Sequence, residues 1–122
     1  MVDGGGKRFD EGKERVDLIP PDAMMCIGKV MGYGATKYYD SSIPRPEQNW
    51  QRGQKLSKVV GPLLRHLYKY LMGYDLDSES GLPHLAHVAA NAIFLLTYHL
   101  RGIDKMGDGV LDDVRMSGVL EQ

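Results

Sequence analysis

The feature that most restricts the fold is the stretch "PHLAHVAANAIFLLTYHLRG", residues 83–102. Pro83 suits the start of a helix and Gly102 its C-terminal stop. Between them the side chains are apolar on almost every side of a helical wheel, the pattern of a central helix covered by several neighbours. Ala86, Ala89, Ala90 and Ala92 allow those neighbours to approach closely. Few segments elsewhere alternate as strands do, so the expected fold is all-α, a small helical bundle. With 122 residues the chain is one domain, and three helices cannot easily cover an all-apolar third one. A core shared in a homo-oligomer is the expected solution.

Two further helices follow from the same reading. Pro20 and Pro21 fit a first helical turn, and Met24, Ile27 and Met31 continue as an apolar stripe to about Gly34. Val59, Val60, Leu63, Leu64, Leu67, Tyr70 and Leu71 share one sector of a second helix, with Lys58, Arg65 and Lys69 opposite. Pro62 lies inside this pattern and predicts a bend there or a start at Gly61-Pro62. Residues 36–56 read as a long loop. The organisation expected is an arm over 1–19, a helical domain over 20–102 and a tail over 103–122.

Charge and composition exclude several functions. Fifteen basic residues against sixteen acidic ones leave a net charge of -1, and the two signs are interleaved, which argues against nucleic acid as a partner. No run reaches the roughly 18 apolar residues that span a bilayer, and the N-terminus has no apolar signal region. The single cysteine, Cys26, sits in a helical pattern and fits a structural thiol in a reducing cytoplasm. A soluble cytoplasmic protein is therefore expected. The tail carries Asp104, Asp108, Asp112 and Asp113, but counting from Asp104 a calcium loop would need an oxygen ligand where Met106 stands and a glutamate where Arg115 stands.

Polar residues on the apolar helix mark the candidate site. His84, His87 and Asn91 are spaced i, i+3 and i+7 and share a face. A buried imidazole or amide without a partner costs a few kcal/mol, so each needs a ligand, a metal or a neighbouring side chain. Asp75, Asp77 and Glu79 lie just upstream. Asp77, Glu79, His84 and His87 form a candidate metal set suited to Mn, Zn or Fe, with Asp77 and Glu79 the candidate catalytic acids. On the second helix His66 can face the same pocket, and Arg65 offers a planar fork for phosphate. Lys37, Asn49 and Trp50 add cations and an aromatic platform of the kind a nucleotide needs, and Arg8 and Lys13 of the arm can close over it. The competing reading is structural: a satisfied polar network between helices, with the acids stabilising a helix N-terminus.

The segments "DLIPPDAM", "YGATKYYD", "NWQRGQKLSK" and "LLRHLYKYLMGYDLDSESGLPHLAHVAANAIFLL" resemble a phage and prophage family, the dATP/dGTP diphosphohydrolase N-terminal domain, over roughly residues 7–102. The resemblance implies a fold related to the all-α MazG-type pyrophosphohydrolases, and a host that is a phage-infected or lysogenic bacterium. MazG-type enzymes cleave between the α- and β-phosphates of a nucleoside triphosphate with divalent metals held by ExxE and ExxD pairs. Here the last long helix reads His84-Leu85-Ala86-His87 at that place, and the helix before it carries Arg65-His66 with no ExxE. Two functions are expected from this. One is a metal-dependent (Mn or Mg, or Zn) purine deoxynucleoside triphosphate pyrophosphohydrolase. The other is a binder without a metal cofactor, sequestering a host nucleotide signal such as a cyclic or ADP-ribose-derived immune messenger.

Overall fold

The computed structural model describes residues 12–105 and 110–116, and these form an all-α unit. Three α-helices carry it: α1 (Pro21–Lys37), α2 (Ser57–Leu71) and α3 (His84–Arg101). Short 3-10 turns lie at Val16–Leu18, Pro46–Arg52 and Ile103–Lys105. The sole strand-like pairing among the described residues is an isolated bridge between Leu76 and Pro83. The N-terminal glycines and Arg8 lie outside the described residues.

The ends of α1 and α3 obey local chemistry. Pro21 occupies the first turn of α1, where its missing N–H removes no helical bond. Gly102 adopts the left-handed conformation and its N–H closes α3 on the carbonyls of His99 and Tyr98. Two boundaries differ from the sequence expectation. α1 continues past Gly34 to Lys37. α2 neither starts at Gly61-Pro62 nor ends there; it begins at Ser57 and runs through Pro62. The reason is tertiary: Asp113 accepts hydrogen bonds from the N–H (2.9 Å) and the hydroxyl (2.6 Å) of Ser57, capping the helix from 56 residues away. The backbone N–H of Leu56 adds a bond to the carbonyl of Leu111 (2.8 Å).

α3 is the central element, packing most extensively on α2 and next on α1. The core has two parts. Val30, Ala86 and Ala90 meet where α1 crosses α3, with Ile27, Met31 and Leu82 around them. Leu56, Val59 and Tyr98 meet where α2 crosses α3, joined by Trp50, Phe94, Leu95 and Ile103. Cys26 is half-buried against the first of these. Leu85, Leu96 and Leu100 of α3 stay exposed, so one chain does not cover its central helix on all sides.

Tyr98 is fully buried and anchors the loop before α2. Its hydroxyl donates to the carbonyl of Trp50 (2.6 Å) and accepts from Nε2 of Gln54 (2.8 Å). Replacing it by phenylalanine leaves both partners unpaired, so Tyr98→Phe is expected to lower unfolding stability by about 1–3 kcal/mol in denaturant titration while helicity is retained.

Candidate functional site

The site begins with a tight loop between α2 and α3. The N–H of Asp77 bonds the carbonyl of Leu82, the N–H of Gly81 returns to the carbonyl of Asp77, and the N–H of His84 reaches the carbonyl of Asp75, each at 2.8 Å. Gly81 has φ of 72°, a left-handed conformation that side chains other than glycine rarely adopt. Within the turn Asp77 Oδ2 accepts both the N–H and the hydroxyl of Ser80 (2.8 Å each). The sequence "DSESGLPH" thus closes on itself and directs Asp77 toward the first turn of α3.

His66 of α2 meets His84 of α3 with their Nδ1 atoms 2.8 Å apart. Both rings are buried, so one Nδ1 carries the proton and the other accepts it: the two imidazoles hold different tautomers. His87 stacks on His66 with ring centroids 4.3 Å apart and planes 8° from parallel. Its Nε2 lies 2.7 Å from Ser80 Oγ and 3.8 Å from Asp77 Oδ2. Tyr33 of α1 packs perpendicular to His87, ring centroids 6.3 Å apart.

Donor atoms of His66, Asp77 and His84 all lie within 4.8 Å of one another. Two imidazole nitrogens and one carboxylate oxygen at that spacing fit a single divalent cation. Glu79 is placed differently. It stands at the rim with its carboxylate on the Lys37 ammonium (2.6 Å) and the Tyr33 hydroxyl (2.7 Å), its side chain 61% exposed.

These groups line a cleft of about 270 Å³. Lys37 and Tyr33 of α1, Asn49 and Trp50 of the 3-10 turn, Arg65 and His66 of α2, and His87 and Asn91 of α3 all border it, together with Asp77 and Glu79. Of the expected residues His84 lies beneath this lining, paired to His66, and Lys13 is exposed and does not border the cleft. Trp50 packs on Phe94 (centroids 4.7 Å), so it is both a cleft wall and part of the core. Asn91 donates to the carbonyl of His87 (2.8 Å), and among the described residues its oxygen accepts no hydrogen bond.

Sequence reasoning passed over Ser80, Tyr33, Glu47 and Lys58, all of which border the cleft or bond to groups that do. For Ser80 a signal existed, since an aspartate three residues before a Ser-Gly pair is a turn former. Tyr33 lies near the end of the α1 stripe, where no local signal marks it as a site residue.

Electrostatics follow from this arrangement. Burial pushes the His66 pKa down to about 4, and the charges of His87 and Arg65 push the same way. Burial also lowers His87, against a smaller opposing pull from Asp77. For Asp77 burial acts to raise the pKa, but the bonds from Ser80 and the nearby imidazoles outweigh it and keep the carboxylate below its ordinary range. Glu79 is lowered by the Lys37 bond and then by Tyr33. At neutral pH His66 and His87 are therefore neutral, and Asp77 and Glu79 are ionised.

The profile of the family described as dATP/dGTP diphosphohydrolase, N-terminal, matches residues 3–108. The chain belongs to that family. A protein of Salmonella phage PMBT28 named dATP/dGTP diphosphohydrolase is 32% identical over 90 residues, which is 74% of this chain and 28% of that protein. The chain thus spans under a third of the length of this relative. No solved structure matches. Among the described residues no helix is long and apolar enough to cross a membrane.

The depressed histidines set a pH dependence. A histidine with a lowered folded pKa keeps its full stability above the unfolded value, and loses it as pH falls through the interval between the two. In metal-free protein, stability is expected to fall by roughly 3 kcal/mol between about pH 6.5 and about pH 4, with His66 the principal contributor. Chemical denaturation across that range checks it; His66→Gln should flatten the slope.

Proposed function

We propose that the chain hydrolyses dATP and dGTP to a monophosphate and pyrophosphate, with a divalent cation in the cleft. The observation that carries this reading is the cleft itself. Its floor holds His66 and Asp77, its mouth holds Lys37 and Arg65, and its walls are aromatic. The family membership and the printed name of the phage relative support the substrate class.

In this reading a bound cation supplies positive charge against the triphosphate and polarises a water. Lys37 and Arg65 hold phosphate oxygens, Lys37 itself being positioned by Glu79 and flanked by the Tyr33 and Tyr38 rings. Trp50 and Tyr33 offer faces for the purine, and Asn91 offers an acceptor for a base amino group. The oxygen of one water is added to the α-phosphorus as the bond from that phosphorus to the oxygen bridging to the β-phosphate breaks; pyrophosphate leaves with that oxygen, and the protons of the water pass to solvent. Leu64 and Leu71 of α2, with Leu85, Leu96 and Leu100 of α3, are exposed apolar residues that support assembly into a homo-oligomer.

A second reading has one observation in its favour. Among the described residues the buried cluster contains a single carboxylate, Asp77, among three imidazoles, so it lacks the acidic clamp that binds several hard cations. Such a pocket can hold a nucleotide without cleaving it, as a sequestering protein would hold a host immune signal.

Incubation with dATP, dGTP and cyclic or ADP-ribose-type nucleotides, with and without manganese, separates the two. Hydrolysis requires monophosphate and pyrophosphate to appear only with metal, and sequestration requires a ligand that returns intact on heating. For the hydrolase, Asp77→Asn is expected to reduce kcat at least about 100-fold, whereas Lys37→Ala mainly raises KM, by about 10-fold.

A further inference from the structure

We infer that His66, Asp77 and His84 form a single transition-metal centre that takes zinc, manganese, cobalt or iron(II) in preference to magnesium, and takes it before any nucleotide arrives. This deepens the proposed function by naming the ion class and its three ligands, and it stands on the geometry of the cluster.

Three features of the cluster carry it. First, the donors are two nitrogens and one oxygen from three different elements: α2, the loop and α3. Imidazole suits first-row transition metals, whereas magnesium demands near-octahedral oxygen ligation and keeps its waters. Three protein ligands leave room for a water or a substrate oxygen, the arrangement of an open rather than a structural site.

Second, the two facing Nδ1 atoms share one proton in a buried place. A cation held by His66 and His84 would take the place of that proton and use a nitrogen lone pair of each ring. His66 and Asp77 border the cleft, so an ion they hold is reached from it.

Third, the neighbours are arranged as supports. The hydrogen bonds from Ser80 to Asp77 end on Oδ2, and among the described residues Oδ1 is left to coordinate. Ser80 holds that carboxylate and also His87, and His87 stacks flat on His66 and fixes its ring plane. His87 is thereby a positioning residue and not a ligand. Glu79 is committed to Lys37 and Tyr33 at the rim.

The test needs no substrate. The chelator-stripped full chain is titrated with cobalt(II) and followed by visible absorption, then challenged with zinc and with magnesium. Expected are one cobalt per chain, displacement by equimolar zinc, and no displacement by a 100-fold excess of magnesium. His66→Ala and Asp77→Asn should each weaken cobalt binding by more than about 100-fold, and Ser80→Ala by about 10-fold. His99→Ala, at an exposed position on α3, should change nothing. Asp77→Asn is nearly isosteric, so it remains informative if a histidine variant misfolds; far-UV circular dichroism identifies that case.

Cobalt binding that survives Asp77→Asn, or that magnesium abolishes at equal concentration, would overturn the inference. The nucleotide reading fails separately. Metal binding as described without nucleotide turnover or capture sinks the proposed function alone, and turnover with magnesium in a chain that ignores cobalt sinks this inference alone.

Discussion

The contact on which the site depends is that between the imidazoles of His66 and His84. It joins α2 to α3 at their most polar crossing, with the two Nδ1 atoms 2.8 Å apart and both rings buried. The two facing Nδ1 atoms cannot both carry a proton at that distance, and neither can be left unpaired without a desolvation cost. One Nδ1 therefore donates and the other accepts. His87 can stack on His66 because the latter is fixed, and Ser80 can bridge His87 and Asp77 because the loop closes at Gly81.

Around this polar centre the apolar packing is modest, and it divides. The α1–α3 cluster rests on small residues, Ala86 and Ala90, which let α1 come close enough to place Tyr33 and Lys37 over the loop. The α2–α3 cluster rests on Val59 and Tyr98 and holds the segment carrying Trp50 against the opposite wall. The cleft is the space between these two clusters. Its rim and its floor are thus supported by different parts of the core. A change at Tyr98 acts on the Trp50 wall, whereas a change at Ala90 acts where α1 meets α3.

Much of the helical layout was legible in the sequence. Pro21 opens α1 and Gly102 closes α3 through purely local effects, so their positions follow from residue type. The start of α2 was not legible, because its cap, Asp113, lies 56 residues away and no local signal links it to Ser57. A start at Gly61-Pro62 fails for the same reason: a proline disfavours a helical interior locally, and distant capping and packing on α3 override that preference. The loop expected over residues 36–56 contains a 3-10 turn at Pro46–Arg52, stabilised by the hydroxyl of Tyr98.

The sequence by itself determined the helical class and the gathering of polar groups near the start of α3, since spacing along a helix fixes which side chains share a face. It also marked His66 as able to face that group. Tertiary structure alone decided the partition of roles among them. Asp77 and Glu79 are two residues apart, yet one turns inward under Ser80 and the other outward to Lys37 and Tyr33. Which of two neighbouring carboxylates enters a site depends on loop closure and on a donor from another helix. Neither is encoded in their spacing.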